Sequence, residues 1–72
     1  LGNINAVTDA AVGALLAQTA VRASALNIRT NCKSITDRTL ADTWETEISR
    51  LERDVDASVT AVLATARQRG VF

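Results

Sequence analysis

Seventy-two residues (7.6 kDa) leave room for one small domain, and eight basic residues balance eight acidic ones. The chain has no His, Tyr, Met or Pro and a single Cys, so it lacks the usual zinc ligand sets, the neutral-pH proton shuttle and an internal disulfide. A chain this short buries only about 60 % of its unfolded surface. Without a disulfide or metal, its stability has to come from helix packing or from association.

In the first half, Val7, Ala11, Ala14, Gln18, Val21, Ala25, Ile28, Cys32 and Ile35 recur at alternating steps of four and three. That 3.5-residue spacing belongs to a helix lying along another helix. Val12, Leu15, Leu16 and Leu26 lie beside this stripe and widen the apolar surface to more than half the circumference. Asn3 or Asn5 is suited to cap the helix start, with Asp9 near the positive end of its dipole. Ala10, Gly13, Ala14, Ala17, Ala20 and Ala23 form a low-relief strip. Gly13 costs about 1 kcal/mol against Ala in a helix, so a close helix approach is expected there. The nearly uncharged run of residues 10–21 is twelve long. That is short of the ~20 needed to cross a bilayer, and no transmembrane helix is expected.

Between residues 27 and 39, seven of thirteen positions are Asn, Thr, Ser or Asp, which compete with helical hydrogen bonds and favour caps. SITD (34–37) and TLAD (39–42) each resemble a capping box. A turn is expected here, with one continuous helix as the alternative because no Gly or Pro is present.

The second half carries Leu40, Trp44, Ile48, Leu51, Val55, Val59, Val62 and Ala66 at helical steps, with Asp42, Glu45, Ser49, Glu52, Arg53 and Asp56 as the solvated face. Arg67 and Arg69 favour the carbonyl end of this helix, Gly70 is a natural left-handed cap, and Val71 is placed to fold back onto the last turn.

Charge is zoned. Residues 22–38 hold Arg22, Arg29, Lys33 and Arg38 against Asp37, a net of plus three. Residues 42–56 hold six acids against Arg50 and Arg53, a net of minus four. In a hairpin the two zones attract each other; two separately solvated surfaces are the alternative.

Chemistry is sparse. Glu52 and Asp56 share a helix face, read here as solvated rather than catalytic. Cys32 has no histidine to activate it and is read as a small core residue, or as an intermolecular disulfide if the chain is secreted. No enzyme activity, cofactor, metal or small-molecule substrate is expected. Seven Arg against one Lys admit a weak nucleic-acid contact, which zero net charge and the lack of interleaved aromatics argue against. The architecture resembles the helical arms of flagellin-type filament subunits, on an AVTDAA patch (6–11) and the helical pattern alone.

The expected fold is all-α: an antiparallel two-helix hairpin, helices about 4–30 and 38–69, with a polar turn about 30–38. It is completed by association into a helical bundle or filament. The expected function is structural: a small subunit acting by self-association or by packing on a partner chain. Its interface and core are Val7, Leu15, Leu16, Val21, Ile28, Trp44, Ile48, Leu51, Val55, Val59 and Val62. Leu51→Ala would cost ~2–5 kcal/mol if that residue is core. The alternatives are a processed membrane-active or toxin-like helical peptide and, less favoured, an arginine-mediated nucleic-acid contact. The chain opens on Leu1 rather than Met, which suits a processed chain and leaves the compartment open.

Overall fold

A computed structural model describes residues 4–70 and 72. Helix α1 spans Ile4–Cys32 and helix α2 spans Arg38–Gln68. They pack antiparallel as an all-α hairpin, 51 Å long, close to the ~45 Å that about 30 residues give at 1.5 Å each. Asn5 lies inside α1 rather than ahead of it. The expected roles of Asn3 and Val71 fall outside the described residues.

The turn is built by polar groups, as the composition suggested, but through different ones. Ser34 N–H donates to Asn31 C=O at 3.0 Å and Ile35 N–H to Cys32 C=O at 3.3 Å, closing α1. Asp37 is the N-cap of α2, and its carboxylate accepts from Leu40 N–H at 3.1 Å. Neither capping box forms as read: Asp37 is the last residue of SITD, and Thr39 sits within the helix. The Arg38 guanidinium reaches back to donate to Cys32 C=O and Ile35 C=O. A cation thereby satisfies carbonyls at the negative end of α1, where proline or glycine often stops a helix. At the far end Gly70 adopts φ 71° and its N–H donates to Arg67 C=O at 3.0 Å. This is the left-handed conformation expected of it.

The helices meet along a seam of small side chains. Among the described residues those buried are Ala11, Ala25, Cys32, Ala41, Ile48, Val59 and Ala66, four of them alanines, so the backbones can lie close together. The stride from Val7 to Cys32 on α1, continued by Ile35 in the turn, is buried or half-buried at every position, while Val12, Leu15, Leu16 and Leu26 beside it are exposed. On α2 the seam differs from the expected stripe. From Ile48 onward Val55, Val59, Val62 and Ala66 face α1, but nearer the turn Ala41 is buried whereas Leu40, Trp44 and Leu51 are 40–44 % exposed. The expected stripe drifts at a mean step near 3.7, whereas the packed seam keeps alternating fours and threes. The larger residues near the turn are therefore carried to one side.

Gly13 departs from expectation too. It is exposed, and a Cβ added to it meets nothing within 4 Å, so no close approach among the described residues uses it. By length and composition, Ala6–Cys32 is apolar enough to cross a membrane, which counting the uncharged run alone did not show. Asp9, Arg22 and Arg29 fall within that span without removing its overall apolarity.

Two stability outcomes follow from these positions. Ile48→Ala should cost ~2–5 kcal/mol and Leu51→Ala less than half as much, read by urea unfolding; equal losses would place Leu51 in the core after all. Gly13→Ala should stabilise the hairpin by about 0.5–1 kcal/mol through helix propensity, and a lower thermal midpoint would expose a packing role for the glycine.

Candidate interaction surface

Two helices side by side leave two broad faces, and here they differ in chemistry. Antiparallel packing brings together the residues one step after the seam positions of each helix. On α1 these include Arg22 and Arg29, following Val21 and Ile28; on α2 they include Ser49 and Asp56, following Ile48 and Val55. Asp56 accepts from Gln18 Nε2 at 2.9 Å and from Arg22 Nη2 at 2.6 Å. Glu52, whose side chain is 16 % exposed, lies 2.6 Å from Arg29 and 3.5 Å from Arg22, and Arg29 also donates to Ser49 Oγ at 3.0 Å.

The basic and acidic zones thus bond across the hairpin, and Ser49, Glu52 and Asp56 do not form the freely solvated face expected of them. Hydrogen bonding from Arg29 holds the Glu52 carboxyl below its ordinary range, helped by the nearby positive charges. Hydrogen bonding from Gln18, with the Arg22 charge, does the same for Asp56. The Arg29 guanidinium is correspondingly raised, first by its hydrogen bond to Glu52. Both carboxyls stay ionised near neutral pH and serve as acceptors, not as proton donors.

The opposite face holds Ala10 and Ala17 on α1, one step before Ala11 and Gln18, and Trp44 and Leu51 on α2, four steps before Ile48 and Val55. It carries two open apolar hollows. One, about 340 Å³ near the turn, is lined by Ile28, Trp44, Glu47, Ile48 and Leu51. The other, about 350 Å³ at the open end, is lined by Ala6, Val7, Ala10, Ala61, Val62, Thr65 and Arg69.

The expected interface residues therefore divide. Ile48 and Val59 are buried in the seam, and Val7, Val21, Ile28, Val55 and Val62 are half-buried. Trp44 and Leu51 stand on the apolar face; Leu15, 42 % exposed, follows Ala14 in the row of Arg22 and Arg29, and Leu16, 66 % exposed, lies farther round the helix from α2. Cys32 is 0 % exposed, and its thiol donates weakly to Ala41 C=O at 3.7 Å. A disulfide to a second chain would require the turn to open, so the hairpin as folded does not offer that link. The Arg38 carbonyl cap and the Gln18–Asp56 bond were missed in the sequence, although the opposed charge zones signalled the latter's neighbourhood.

The family model described as formiminotransferase-cyclodeaminase matches residues 1–50, across α1, the turn and α2 as far as Arg50. The chain belongs to the formiminotransferase-cyclodeaminase family. This membership replaces the likeness to filament subunits, which rested on architecture alone. No curated protein matches the chain, and no solved structure does. The matched stretch contains Arg22, Arg29 and Trp44, whereas the carboxylate partners of the two arginines, Glu52 and Asp56, lie beyond it.

The lowered carboxyl pKa values set a direction for pH. Stability from Glu52 and Asp56 is fully present above the ordinary carboxylate range and is lost as pH falls below about 4 through the depressed folded values. The thermal midpoint should fall between neutral pH and pH ~3, and Glu52→Gln should flatten that slope; an unchanged slope would remove Glu52 from the cross-hairpin linkage.

Proposed function

We propose that the chain acts by association, as a helical packing element whose exposed apolar surface is covered by other helices of its own kind or of a partner chain. The observation that carries this reading is the exposure of Val12, Leu15, Leu16, Leu26, Leu40, Trp44 and Leu51, each at least 40 % open on a hairpin whose core is mostly alanine. Burying such side chains contributes about 1.5–3 kcal/mol each, and the hairpin alone leaves all seven at least 40 % in water. The alternating four-and-three spacing supports coiled-coil packing in the completed bundle. Within a formiminotransferase-cyclodeaminase, the hairpin on this reading is framework that positions other groups, and the chain itself is non-catalytic. A chain without histidine, whose two cross-hairpin carboxyls are held ionised, suits that role.

A second reading has its own observation. Ala6–Cys32 is long and apolar enough for a bilayer, so α1 released from α2 would suit a membrane surface or interior. Leakage from anionic vesicles separates the two readings, since a packed bundle causes none.

Sedimentation equilibrium over a hundredfold concentration range should give a mass above 7.6 kDa. Because Cys32 is buried, that mass should be unchanged by reductant. Association should also shift Trp44 fluorescence to shorter wavelength. A folded 7.6 kDa monomer that stays soluble at every concentration would overturn self-association and leave packing on a different partner chain.

A further inference from the structure

We propose that the closed hairpin lies flat on a lipid bilayer, with the outer surface of α1 sunk into the boundary between headgroups and acyl chains and α2 in the water above. The proposal deepens the second reading above and rests on it, except that α1 stays packed on α2. Along α1, Val12, Leu16, Thr19, Ala23, Leu26 and Thr30 recur at steps of four and three, and all six are exposed. This row runs along the back of the helix. Leu16 is two residues from both Ala14 and Gln18 of the seam, about 200° round from each. Leu16 and Leu26 are 66 % and 70 % exposed, more than any other large apolar residue among those described.

Over about 27 Å from Val12 to Thr30 the row makes little demand on water. Thr19 Oγ donates to Leu15 C=O at 3.1 Å and Thr30 Oγ to Leu26 C=O at 2.8 Å, so both hydroxyl donors are satisfied by the helix itself. Arg22 and Arg29 are the charged residues of that stretch, and they reach to Asp56 and Glu52 of α2. Asp9 and Lys33 continue the row at its two ends, where their charges stay in the headgroup layer. The matching outward row of α2 holds Thr46, Arg50, Arg53 and Arg67 and no large apolar side chain. The hairpin is therefore amphipathic across its thickness, one helix apolar on its outer side and the other charged.

A partner helix is selected by charges that flank an apolar stripe and set its register. Here the flanks are Gly13, Ala20 and Asn27 on one side, and Leu15 with the two engaged arginines on the other. None of these specifies a register, and both hollows lie on the other face, with Ala10 or Trp44 in their walls. A fluid acyl boundary requires neither register nor hollow. Net charge is zero and six of the eight acids lie on α2, so burial of apolar surface, not attraction to anionic lipid, supplies the affinity. The face bearing Trp44 and Leu51 stays clear of the lipid and open to the packing proposed above.

Flotation of the full chain with phosphatidylcholine vesicles, with helicity followed by circular dichroism, tests this docking. The chain should float with the vesicles, and adding phosphatidylserine should leave its partitioning unchanged. Leu16→Asp combined with Leu26→Asp, both at exposed positions, should lower partitioning about tenfold or more at unchanged helicity. Brominated acyl chains should quench an Ala23→Trp reporter in a Trp44→Phe chain and spare Trp44 of the wild type. The buried Cys32 thiol should stay unreactive towards a thiol reagent on the vesicles. Partitioning that needs phosphatidylserine, that survives the double substitution, or in which Trp44 is quenched overturns this orientation. A floating chain whose Cys32 reacts has opened, which overturns closed docking and leaves the second reading standing. A chain that does not float overturns both, while sedimentation decides the packing reading separately.

Discussion

The structure depends on how closely two helices can lie when the side chains between them are mostly alanine. Ala11, Ala25, Ala41 and Ala66 keep the seam thin, and Cys32 closes it beneath the turn. A thin seam lets the arginine and carboxylate side chains of adjacent strides meet across it. It also leaves the larger apolar residues without room between the helices. Both the cross-hairpin bonding and the exposed leucines follow from that one limit on volume.

The bonding in turn orients the hairpin. With Gln18, Arg22 and Arg29 engaged by Asp56 and Glu52, one broad face is fixed as polar. The other face receives Trp44 and Leu51 and the two hollows. Surface ion pairs individually contribute little to stability, but a directed set of them opposes sliding or rotation of one helix against the other. The zoned charges thus act on register and on which face is left for a partner, while burial of apolar surface supplies the driving force.

The chain belongs to the formiminotransferase-cyclodeaminase family over α1, the turn and the first part of α2. What distinguishes the hairpin physically is the set of large apolar side chains, Leu16 and Leu26 foremost, left open to solvent beside a seam of small ones.

Much of this was legible in the amino-acid sequence. The stride from Val7 to Ile35, the polar segment around residue 34, the periodic second half and Gly70 fixed two helices, a turn between them and a left-handed end. These features are local: periodicity, capping chemistry and backbone freedom act over a few residues and need no distant partner. Which residues of α2 face α1 was not legible, because a stripe drifting at 3.7 residues per step and a seam alternating fours and threes share Ile48 and separate nearer the turn. Nor was the Arg38 cap, which depends on how the chain folds back on itself. Two amphipathic helices with opposed charges are thus encoded locally. That Glu52 and Asp56 bond inward while Trp44 and Leu51 remain outside emerges only on packing, because rotation of one helix about its axis is set by contacts with the other.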